Sequence, residues 1–266
     1  MKKPSKKPVK KRTYRKPASK NTFKSSFDED GIRLNKFIAN SGICSRREAD
    51  ELIKIGAITV NGKIVTELGT RVKLTDKVFY GNDRIKPDRP IYILVNKPKD
   101  YITSVEKTGR DKRTVLHLIA NACKEEVFPV GRLDKQSTGL LMLTNDSGLA
   151  QKLTNPKGTI KKLYHVSLSK PFKKEDFETL QKGVKIDDLY VKPTALSYVG
   201  KDYKEIGIEL TNDRNRIVRR IMEFFGYNIT KIDRVMFAGL TKKDLPRGKY
   251  RFLNEKEINL LKMLPA

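Results

Sequence analysis

The strongest chemical signal in this sequence is a single carboxylate. Asp134 lies in Val130-Gly131-Arg132-Leu133-Asp134-Lys135-Gln136-Ser137-Thr138-Gly139-Leu140-Leu141, a charged loop with glycine near both ends that leads into an apolar strand. Cations on either side favour the ionised form, and an oriented carboxylate can act as a nucleophile or a general base. By residue type alone the same aspartate also fits a turn former or a surface ion pair. The rest of the chain has to decide between these readings.

Several other chemistries lack their residues. No G-x-x-x-x-G-K-[ST] or G-x-G-x-x-G loop occurs, so neither nucleoside triphosphate nor dinucleotide binding is expected, and no cofactor is called for. His117 and His165 are far apart and read as structural. Cys44 and Cys123 match no metal-ligand spacing, so no metal site and no disulfide framework is expected, and reduced thiols fit a cytoplasmic protein. No second carboxylate or histidine sits in a catalytic motif beside Asp134, which disfavours a nuclease or glycosylase. The formal charge of +26 calls for a polyanionic partner, because Lys and Arg clusters bind phosphates by releasing condensed counterions. No apolar run is long enough to span a bilayer, and no membrane association is expected.

The elements that must position Asp134 fall into three segments. Residues 1–29 read as a disordered basic tail rich in Lys, Pro and Ser, with too little apolar surface to offset the entropy of ordering. Residues 30–88 read as a small α+β unit. Leu34, Phe37 and Ile38 have helical spacing, Ser45 to Glu48 forms a capping box for a second helix, and Asn61-Gly62 is a hairpin turn between β-prone residues. The structured part of that unit is expected to end near Tyr80, with Gly81 to Pro90 as a polar linker. Residues 89–266 form the second domain, with strands near Ile91–Val95, Gly139–Leu143, Leu163–Leu168 and Ile206–Leu210. Helices are expected near Lys174–Lys182 and Asn215–Phe225, and a last helix follows the capping box Asn254 to Glu257. The absence of a regular βαβ repeat makes the fold class α+β.

Two sets of motifs are similar to known families. Arg33-Leu34-Asn35-Lys36-Phe37, Ser45-Arg46-Arg47-Glu48-Ala49 and Val60-Asn61-Gly62 resemble the S-four-like RNA-binding domain, which implies an RNA surface made by Arg33, Lys36, Arg46 and Arg47. The Gly-Arg-Leu-Asp loop with its Thr-Gly-Leu-Leu continuation, Lys162-Leu163-Tyr164-His165-Val166, and Arg214-Asn215-Arg216-Ile217-Val218-Arg219-Arg220 resemble the RsuA/RluB group of pseudouridine synthases. Asn212-Asp213 stands where that group commonly has Glu-Gly, and Ile217 where it commonly has Gln.

The resemblance implies a catalytic domain with a mixed, largely antiparallel sheet flanked by helices. It also implies that Asp134 is the nucleophile, Tyr164 the aromatic residue against the target uracil, and Arg214 the basic partner of Asp134. Arg132 would fill the space left by a flipped base or contact phosphate, and Arg219 and Arg220 would contact phosphate. The implied activity is isomerisation of a specific uridine of ribosomal RNA. The reading leans to 23S RNA or a large-subunit precursor, with 16S RNA as the alternative and a monomeric enzyme expected. The competing class is a noncatalytic RNA-binding assembly factor.

Overall fold

The computed structural model describes residues 31–73, 75–104, 113–155, 158–211 and 216–265. The segment expected to be a basic tail lies outside them.

In the N-terminal unit the sequence signals act locally. The Ser45 hydroxyl accepts from the Glu48 amide at 3.3 Å, and the Glu48 carboxylate accepts from the Ser45 amide at 2.7 Å, which starts the helix Arg46–Lys54. Its Ala49 and Ile53 pack on Leu34, Phe37 and Ile38 of the helix Leu34–Ala39. Strands Ile58–Val60 and Lys63–Ile64 join through Asn61 and Gly62, whose φ angles of 52° and 81° are those a two-residue hairpin turn demands. The polar stretch expected to be a linker starts later than Gly81. Asp83–Ile85 is a further strand paired with Val78–Tyr80, and Ile85 is buried in the same core. One inward apolar residue in three gave no visible alternation.

The fold is α+β, as expected, and among the described residues its larger sheet has nine strands. Along the main path they run Ala195–Val199, Glu205–Leu210, Lys162–Leu168, Ile229–Phe237, Thr138–Thr144, Tyr92–Lys97 and Tyr250–Phe252. All pairs are antiparallel except one, in which Thr138 and Gly139 lie parallel to Asp233 and Arg234. Two adjacent interior strands, Tyr92–Lys97 and Thr138–Thr144, are buried at every position because both faces of the sheet are covered here. Ile93, Val95, Leu141 and Leu143 pack on one side with Ile217, Val218, Ile221 and Met222 of the helix Ile217–Phe224. Tyr92, Leu94, Leu140 and Met142 pack on the other with Leu149 and Leu153 of the helix Ser147–Thr154 and Leu261 of the helix Glu255–Met263. These burial patterns place the residues before Thr138 at the edge of two cores.

Gly139 makes the short parallel contact possible. Its φ is 110°, and a Cβ there would stand 2.3 Å from the Arg234 carbonyl oxygen and 2.5 Å from the Arg234 amide nitrogen. Gly62 has φ 81° but nothing within 4 Å of its missing Cβ. Gly139→Ala should therefore cost about 3 kcal/mol or more from strain and backbone clash, and Gly62→Ala about 1 kcal/mol from conformation alone. Thermal unfolding of the two variants decides this, and equal losses would mean that close packing at Gly139 is not limiting.

Candidate active site

A cleft of about 510 Å3 opens where the loop around Asp134 faces the first turn of the helix Ile217–Phe224. Lys162 and Tyr164 from one strand, Ile232 and Phe237 from its neighbour, and Leu153 and Thr154 from the end of the helix Ser147–Thr154 complete its walls. The strand positions follow from alternation, since Lys162 and Tyr164 lie two apart and share a face.

The loop carrying Asp134 is held mainly through its carbonyls. The Lys97 ammonium donates to the carbonyl of Ser137 at 2.7 Å and also reaches those of Pro98 and Lys135. The Asp100 amide donates to the Lys135 carbonyl at 2.8 Å, and the Thr103 hydroxyl to the Leu133 carbonyl at 3.3 Å. Leu133 is buried in the core on one side of Asp134, while on the other the Thr138 hydroxyl donates to the buried Asp233 carboxylate at 2.9 Å. Asp233 is matched by Lys242 and by Arg247. Burial would push its carboxyl up, but the hydrogen bonds from Lys242 and Thr138 and the two cations hold it below the ordinary carboxylate value. Lys97 is fully buried, and burial lowers its pKa to about 8 against the pull of Asp134 and Asp100.

Asp134 meets two guanidinium groups. Arg219 Nε donates to its Oδ2 at 2.8 Å, and Arg216 Nε lies 3.6 Å from the same oxygen. The shortest approach of each guanidinium is to Oδ2. Packing of Ile217, Val218, Ile221 and Met222 fixes the rotation of their helix and so aims Arg219 at the loop. Its exposure of 18%, against 27% for Asp134, puts the pair in a partly desolvated setting where charges interact more strongly than at the surface.

Tyr164, only 3% exposed, presents its buried ring to the same cleft. Arg132 is exposed on the cleft wall. Arg214, expected to partner Asp134, lies outside the described residues. Among the described residues the guanidinium that hydrogen-bonds Asp134 belongs to Arg219, which was expected to face phosphate. Arg220 is turned to Asp187, in the turn between Val184–Ile186 and Leu189–Val191, and does not line the cleft.

In the N-terminal unit Arg33, Arg46 and Arg47 are exposed. Lys36 is partly buried, its ammonium 3.7 Å from where a Cβ on Gly148 would stand. The capping box occupies the Ser45 and Glu48 amides, so a phosphate at this helix start would be met by side chains. Sequence reasoning missed Lys97, Lys162 and Arg216. A lysine closing the mostly apolar run Tyr92–Val95 after Asn96 was a signal for Lys97, and the spacing of three from Arg219 was one for Arg216.

The geometry therefore offers a carboxylate, a cation to orient it, a buried aromatic wall and cationic rims. Comparisons with known proteins are consistent with that chemistry. The family model described as RNA pseudouridylate synthase matches residues 91–224, and the S4 domain model matches residues 32–78. The ribosomal large subunit pseudouridine synthase B of Bacillus subtilis (strain 168) is 34% identical over 236 residues, covering 87% of this chain and 96% of that protein. The dual-specificity RNA pseudouridine synthase RluF of Escherichia coli (strain K12) is 34% identical over 241 residues, covering 89% and 80% respectively. A solved pseudouridylate synthase structure superposes with a TM-score of 0.62 at 25% identity, over 87% of this chain and 100% of that one.

The buried ammonium of Lys97 gives a testable pH dependence. Its pKa is about 8 in the fold and 10.5 ordinarily, so between these values the unfolded chain holds a proton that the folded chain has released. Stability from this residue should rise with pH across that window, by up to about 1.4 kcal/mol per pH unit, and lie at its lowest, constant level below it. Urea unfolding of the wild type and Lys97→Met at several pH values should show the wild type gaining on the variant above about pH 8. A flat difference would mean that the ammonium is solvated.

Proposed function

The chain belongs to the RNA pseudouridylate synthase family, and from that premise we propose that it isomerises a specific uridine of 23S ribosomal RNA, with Asp134 as nucleophile. The observation that carries this reading is the Asp134–Arg219 pair on the wall of a cleft that Tyr164 closes from the strand side. The large-subunit target is supported by the similarity to the Bacillus subtilis large-subunit synthase and by the S4 domain preceding the catalytic one.

The reaction breaks the bond from uracil N1 to ribose C1′, turns the base and joins C5 to C1′. The C5 proton is lost and N1 regains one, with no net oxidation and no group released, so the residues of the cleft suffice. A target uridine must leave its stack to reach Asp134. Tyr164 supplies a face for the extruded base, and its hydroxyl assists removal of the C5 proton. Arg132 on the rim takes the space the base vacates or a neighbouring phosphate. Asp134 adds to the base or to the ribose through its carboxylate. Arg219 orients the carboxylate through Oδ2. Arg33, Lys36, Arg46 and Arg47 hold the RNA on the N-terminal domain, and the enzyme works as a monomer in the cytoplasm.

Mass-spectrometric mapping of pseudouridine in 23S and 16S RNA tests this, using cells that lack the protein and the same cells complemented with it. One 23S site should vanish and return. A vanished 16S site would move the target to the small subunit, and an unchanged map would favour a noncatalytic assembly factor.

A further inference from the structure

Arg216 combines three properties that its packing does not explain. Its backbone is left-handed, at φ 58° and ψ 31°, a conformation that is costly for a residue with a Cβ. Its carbonyl accepts from the Arg219 and Arg220 amides at 2.9 and 3.1 Å, so this conformation sits at the start of the helix that carries Arg219. Its side chain is 60% exposed while lining the cleft. The contact with Asp134, at 3.6 Å, is too long for a hydrogen bond and goes to an oxygen already bonded by Arg219 at 2.8 Å. Glycine would serve this backbone better, and the carboxylate already has a closer cation. The long, mostly solvated guanidinium is therefore explained by neither the fold nor the ion pair.

We propose that Arg216 is a substrate-binding residue whose guanidinium takes the phosphodiester beside the target uridine. The inference rests on the cleft being the pseudouridine synthase site. A guanidinium presents paired donors that match phosphate oxygens, and Arg132 stands exposed on the same cleft wall. Two cations on one carboxylate hold electron density on it and weaken it as a nucleophile. When RNA enters, Arg216 exchanges its weak contact with Asp134 for the phosphate, and Asp134 keeps the single oriented partner that it needs. Substrate binding and activation of the nucleophile are thereby linked through one side chain.

Arg216→Gly separates this role from folding, because glycine relaxes the left-handed backbone as it removes the guanidinium. The variant should keep or raise its melting temperature, while KM for a 23S RNA transcript rises about tenfold and kcat falls much less. In direct binding to the same transcript, the slope of log affinity against log salt should become shallower by about 0.7 to 0.9, the value of one phosphate contact. Arg216→Lys, which keeps a point charge, should restore that slope and part of the KM. An unchanged slope and KM would overturn the proposal, as would a loss confined to kcat, which would assign Arg216 to Asp134 alone. If the wild-type protein bound the transcript without forming pseudouridine, the functional reading would fail. The salt slopes would still decide whether Arg216 meets a phosphate.

Discussion

The ion pair between Asp134 and Arg219 is the interaction around which this molecule is organised. Its partners lie 85 residues apart, and the 2.8 Å contact forms only when a loop and a helix start from distant parts of the chain are both fixed. A partly buried carboxylate without a cation is costly, and so is a partly buried guanidinium without an anion. The pair therefore contributes to folding, and under the proposed function it would serve the chemistry as well. Removing one partner would leave the other partly desolvated and free to drift from the geometry that the reaction requires.

The large sheet supplies that fixation. Its strand Thr138–Thr144 is covered on both faces, so the segment before Thr138 is held by two cores at once. Three features then set the loop: the close parallel approach at Gly139, the Thr138 bond to buried Asp233, and the Lys97 ammonium beneath the carbonyls. On the opposite side of the cleft, the apolar face of Ile217–Phe224 fixes the direction of Arg219. Much of the positioning thus comes from backbone carbonyls and core packing behind the reactive atoms.

These differences in mechanism explain what could be read from the sequence. Capping boxes, the Asn-Gly hairpin and the continuous apolar strands depend on local pattern, and the α+β fold with its largely antiparallel sheet followed from them and from the family motifs. The strand Asp83–Ile85 was hidden because a single apolar residue cannot show a period. The arginines of the third motif pose a harder problem, since four cations occur within seven residues, from Arg214 to Arg220, and all have the same chemistry. Helical phase places Arg219 and Arg220 on opposite flanks of the buried face. Which flank meets Asp134 and which meets Asp187 is decided by tertiary packing. Asp134 and Tyr164 stood out in sequence, and the structure brings both to one cleft. Lys97 and Arg216 act through a buried charge and an unusual backbone angle, neither of which residue type reveals.

The central claim is that Asp134, oriented by Arg219, attacks the target nucleotide. Its most direct test is single-turnover release of tritium from ribosomal RNA labelled at uracil C5, with RNA binding measured in parallel. The account predicts release by the wild-type protein, none above background by Asp134→Asn despite retained binding, and release slowed by at least about a hundredfold in Arg219→Ala. Release by Asp134→Asn at the wild-type rate would contradict it.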